Sequence, residues 1–159
     1  MFDFDIQEYH RHILDKGFAG NLSFLQQHAP VRIDDWKRGV EQNHPAALFF
    51  LGLCYAHDIA VPANALESLR LVQLAANAGF PPAQTQLALQ YEEGRDVKQD
   101  TDEALRWYTR SADAGFVLAQ YRLAWMYEGG RGARHDLAQA LRWYALAAEQ
   151  GFEIGKSVV

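Results

Sequence analysis

The chain has 159 residues, 49% of them apolar and 22% charged, with a formal net charge of −5. That length holds one domain with a real apolar interior. The acidic balance argues against a nucleic-acid partner, and no run approaches the ~20 apolar residues of a membrane span. The opening MFDFDIQEYH is acidic and lacks the basic start and apolar run of a secretory signal, so the expected location is the cytoplasm. The single cysteine, Cys54, excludes an internal disulfide framework.

In chain order, residues 1–45 are expected to form a helical N-terminal cap. IQEYHRHILDKG and NLSFLQQH supply one or two helices. VRIDDWKRGVEQN then places Ile33, Trp36, Val40 and Asn43 36 residues ahead of Leu69, Val72, Ala76 and Gly79, so it reads as a worn half-repeat. From 46 to 152 the chain repeats itself three times without a gap, over about 46–81, 82–117 and 118–152. The clearest columns are Ala47/Ala83/Ala119, Leu51/Leu87/Leu123, Tyr55/Tyr91/Tyr127, Ala76/Ala112/Ala148 and Phe80/Phe116/Phe152. Spacings such as 47, 51, 55 and 69, 72, 76 put the recurring residues on one helical face. The first helix of each copy, A, is expected over 46–57, 82–93 and 118–128, and the second, B, over 65–78, 101–114 and 137–150. Small residues at Gly52, Ala88 and Ala124 let the two approach closely. Residues 153–159 form a tail.

Each B helix is punctuated at both ends. Asn64/Glu67, Asp100/Glu103 and Asp136/Gln139 have the spacing of a capping box. Gly79, Gly115 and Gly151 follow the helices, where a left-handed residue ends them.

The stretch ALRWYTRSADAGFVLAQYRLAWMYEGGRG resembles the Sel-1-like repeat (SLR), an αα-hairpin relative of the tetratricopeptide repeat. The likeness covers 46–152. The first copy departs from it, with Leu71-Val72 in place of Trp-Tyr and AHDIAV in place of the glycine-rich loop. The resemblance implies an all-α, right-handed αα-hairpin solenoid of three repeats behind the N-terminal cap. It also implies a protein–protein adaptor or regulator; some bacterial chains of this kind are immunity proteins that neutralise a toxin.

Catalytic and metal chemistry find little support. The histidines His10, His12, His28, His44, His57 and His135 match no familiar ligand spacing, and Cys54 falls inside a helix. EGGRGARHD lacks the spacing of a phosphate loop and follows a helix, where such a loop follows a strand. No catalytic residue, cofactor or metal is therefore expected. The rival enzyme reading, a small hydrolase, rests only on His57 near Glu92 or Glu93; a self-assembling structural module is a third class.

Carried over from the related repeat, the concave face of the A helices is expected to bind the partner. Its residues are Phe49, Leu53 and His57 in the first copy, then Thr85, Leu89, Glu92 and Glu93, then Leu118, Tyr121, Trp125 and Glu128. Apolar side chains with a carboxylate rim suit a protein or peptide of apolar and basic character. The competing expectation is that Phe2, Phe4, Ile6 and Tyr9 fold over this groove and make it core. Arg95, Lys98, Arg131, Arg134 and His135 form a cationic edge in the A–B turns, read as solvated loop. The last B helix is apolar nearly all round: either the tail (Phe152, Ile154, Val158, Val159) covers it, as preferred here, or a second subunit makes a homodimer through it.

Overall fold

Eight α-helices follow one another in residues 2–153, the part of the chain that the computed structural model describes. They are α1 (Asp3–Lys16), α2 (Gly20–Glu41), α3 (Pro45–His57), α4 (Ala65–Asn77), α5 (Pro81–Glu93), α6 (Thr101–Asp113), α7 (Val117–Gly129) and α8 (Leu137–Glu149). A 3₁₀ turn, Gly17–Ala19, joins α1 to α2. Among the described residues there is no strand, and no helix is long and apolar enough to cross a membrane. The hairpins α3–α4, α5–α6 and α7–α8 stack in sequence, α4 against α5 and α6 against α7, with α1 and α2 packed ahead of α3.

The ends of the B helices are set by the residues the sequence marks. Asn64, Asp100 and Asp136 accept from the amides of Glu67 (3.1 Å), Glu103 (3.0 Å) and Gln139 (3.1 Å). The reciprocal half of the box is replaced. The cap amides of Asn64, Asp100 and Asp136 donate to the carbonyls of Tyr55, Tyr91 and Tyr127, each at 3.0 Å, so the turn is closed by the preceding helix. Glu67 and Glu103 turn instead to Arg70 and Arg106 on the next turn. Gly79, Gly115 and Gly151 stand at φ +89°, +93° and +84°.

AHDIAV keeps the loop path of the other copies without their glycines. Left-handed backbone recurs at Asp58, Gly94 and Gly130, and again at Ala60, Asp96 and Gly132. The Asp58 carboxylate steadies its own loop by accepting from the Ala63 amide at 2.9 Å.

The N-terminal region differs from expectation in one respect. NLSFLQQH and VRIDDWKRGVEQN merge into the single 22-residue helix α2, which runs through Pro30. Pro30 and the preceding turn at Gln26 face solvent, so water can satisfy the carbonyl that proline leaves unpaired. Asn43 takes the left-handed conformation expected of it, at φ +55°. At the other end Phe152 is buried and its ring lies 5.6 Å from that of Tyr121. Ile154, Val158 and Val159 lie outside the described residues, and Leu137 and Leu141 on α8 are exposed.

Candidate functional site

The A helices α3, α5 and α7 were expected to share an open face, and α1 lies across its first half. Tyr9, fully buried, sets its ring 5.6 Å from Phe49 and 5.6 Å from Phe50, and stacks on Phe116 at 6.4 Å. Its hydroxyl donates to Asn21 Oδ1 at 2.8 Å, and burial pushes its pKa well above the ordinary phenol value. What pins α1 is Asp5, a carboxylate with no solvent exposure. It accepts from Arg32 Nη2 at 2.8 Å, Arg32 Nε at 3.0 Å and the Trp36 indole at 3.2 Å. A cleft of about 290 Å³ remains where His10 and Leu14 of α1 face Phe80, Phe116 and Val117.

Burial by this roof and by the neighbouring repeats corrects half of the expected groove. Phe49, Leu53, Thr85, Leu118 and Tyr121 are all buried, so they are core. Tyr9 covers Phe49. Thr85 exchanges a 2.8 Å hydrogen bond with Ser111, and Tyr121 sits between the rings of Tyr144 and Phe152. Of the segment expected to cover the groove, Tyr9 does so. Phe2 is buried elsewhere, against the His44 ring at 4.5 Å, and Phe4 is exposed.

The second half of the A helices stays accessible and carries His57, Leu89, Glu92, Glu93, Trp125 and Glu128. Along the column Leu53, Leu89 and Trp125, the first is buried and the other two are partly exposed. A cleft of about 360 Å³ opens here between Phe18 and Leu22 of the cap and His57, Leu89 and Arg95 of the repeats.

The carboxylate rim is largely neutralised from within. Glu92 accepts from Tyr108 Oη at 2.7 Å and from Arg122, and the burial of Tyr108 together with this carboxylate raises the phenol pKa strongly. Glu93 is paired with Arg95, a member of the cationic edge. Glu128 accepts from Tyr144 Oη at 2.6 Å, repeating 36 residues on the bond between Glu92 and Tyr108. Two guanidiniums, those of Arg122 and Arg131, lie over the Trp125 ring at 4.3 and 3.6 Å from its centre. Sequence reasoning missed Arg122, although its place one turn before Trp125 on a helix was a usable signal.

The hydrolase geometry does not form. Glu92 and Glu93 are engaged with Tyr108, Arg122 and Arg95, and the pKa of His57 is lowered by burial and by the charge of Arg95. A general base here lacks the carboxylate that would orient it. Cys54 is buried, which pushes its thiol up to about 12 and away from nucleophilic use. The histidines are less scattered than their spacing implies: ligand atoms of Glu8, His12 and His28 lie within 4.8 Å of one another. The legible part of that cluster was Glu8-x-x-x-His12, one helical turn apart.

The Sel1 repeat family matches residues 45–80, 81–116 and 117–152. A Sel1 repeat protein from Oxalobacter formigenes is 37% identical, with a TM-score of 0.73 over 79% of this chain and 96% of that one. A protective antigen with an SLR fold, from uropathogenic Escherichia coli, is 29% identical with a TM-score of 0.70. That match covers 92% of this chain but only 30% of the antigen. The cysteine-rich protein B of Helicobacter pylori, at 18% identity and a TM-score of 0.62, shares the fold. No curated protein matches. Sel1 repeats generally mediate protein–protein interaction and are typically non-catalytic scaffolds.

Proposed function

The chain belongs to the Sel1 repeat family, and on that premise we propose that it is a non-catalytic adaptor holding a protein or peptide against the open half of its A helices. The observation that carries this reading is the cleft beside Leu89, bounded by the cap on one side and by His57 and Arg95 on the other. It accepts an apolar side chain, while Trp125, partly exposed and flanked by Arg122 and Arg131, lies along the same column. The overall charge of −5 favours approach by a basic partner, while at the open face Glu92 and Glu93 are paired with Arg122 and Arg95.

The test is affinity capture from the native host followed by mass spectrometry, run in parallel with Leu89→Glu and Trp125→Ala. One foreign partner at stoichiometric yield is expected, weakened at least tenfold, or about 1.4 kcal/mol, by each variant at unchanged helicity. Recovery of the chain alone, or capture indifferent to both substitutions, refutes the groove. A partner that is a toxin blocked by the chain identifies an immunity role; any other partner identifies a regulatory one.

A further inference from the structure

We infer that Glu8, His12 and His28 form a site for a divalent transition-metal cation of the zinc class, at the seam between α1 and α2. Glu8 and His12 are one turn apart and share a face of α1, and the packing of α2 against α1 brings up His28. One ligand atom from each lies within 4.8 Å of the other two. Ligands of a tetrahedral zinc at ~2.0–2.1 Å stand roughly 3.3 Å apart, so a modest side-chain rotation closes the set. Glu8 can supply it. Its present partner Arg11, at 2.9 Å, is mostly exposed, and a surface pair of this kind yields readily.

Two further observations point to a ligand. His28 is nine-tenths buried, stacked on Phe24 at 4.8 Å and edge-on to His12 at 5.8 Å, and its Nε2 has no hydrogen-bond partner among the described residues. A buried polar atom left in that state calls for something to satisfy it, and a cation does so. His12 is already oriented as metal-bound histidines are: its Nδ1 meets Ser23 Oγ at 3.0 Å, and that hydroxyl is fixed by Lys16 Nζ at 2.9 Å. In the tautomer that donates Nδ1–H to Ser23, Nε2 is the free ligand atom. Two imidazoles and one carboxylate suit zinc or its neighbours rather than calcium or magnesium, which take oxygen ligands. Three protein ligands leave one position for water. A bound cation ties α1 to α2 and so holds down the roof over the A helices.

The test uses the full chain without a histidine tag, titrated with Zn²⁺ by calorimetry and with Co²⁺ by visible absorption. One cation per chain is expected, with affinity reduced at least tenfold in Glu8→Gln and in His12→Gln and unchanged in His135→Gln. Zn²⁺ should also raise the urea midpoint of the wild type, and not that of the two ligand variants. Absence of binding by the wild type, or an affinity in Glu8→Gln and His12→Gln equal to that of the wild type, overturns the site.

Discussion

Asp5 shows how much a single side chain carries here. It is a dry carboxylate that joins α1 to α2 through Arg32 and Trp36, and removing it leaves the buried indole N–H without its acceptor and Arg32, itself partly exposed, with Asp35 as its remaining carboxylate partner. Asp5→Ala should cost about 1–3 kcal/mol, read as a shift of the urea unfolding midpoint. Gly39 is the counterpart in packing. A Cβ there would lie 2.5 Å from Ala47 Cβ and 2.7 Å from the Phe2 ring, so Gly39→Ala should lose ~1–3 kcal/mol by overpacking. Neither residue stands out in the sequence. Asp5 looks like one of several surface acids, and Gly39 falls in no glycine column, because both roles depend on which helix arrives opposite.

At the scale of elements the sequence speaks more clearly. The caps, the terminating glycines and the alanine columns are local devices, and each acts within a turn or two of its own position. Even so, the capping box is only half present. The Asp100 side chain bonds the Glu103 amide, while its own amide is taken by Tyr91 and Glu103 turns to Arg106. Asp100→Ala should therefore cost about 1 kcal/mol in chemical denaturation. Glu103→Ala should cost only a few tenths, the value of a helix-surface pair. Equal losses from the two would mean that the reciprocal bond forms in solution. The continuity of α2 through Pro30 was less legible, because proline's local penalty is overridden by packing that buries Phe24, Leu25, Ala29 and Trp36 on one side.

For the whole molecule the deciding event is the docking of α1. It covers Phe49, which becomes core, and leaves the later half of the A helices accessible. It also assembles histidines that are far apart in sequence. Burial lowers the pKa of His44 and His57 below the ordinary value of 6.5, so the folded state keeps them neutral while the unfolded chain takes up protons. Their contribution to stability is present above pH 6.5 and is lost as pH falls through the lowered folded values. The melting temperature should accordingly be level near pH 7–8 and decline towards pH 5, with a smaller decline in His57→Gln.

What the sequence determined by itself is the repeat: three hairpins in a 36-residue register, their helix ends and their closely packed small residues. Each of these follows from local spacing and from propensities that need no distant partner. Only the tertiary structure decided which variable positions remain accessible, that the carboxylate rim is met by Arg122 and Arg95, and that Glu8, His12 and His28 share one spot. Those outcomes depend on contacts between segments more than a hundred residues apart, such as Tyr9 on Phe116, and helical periodicity carries no information about them.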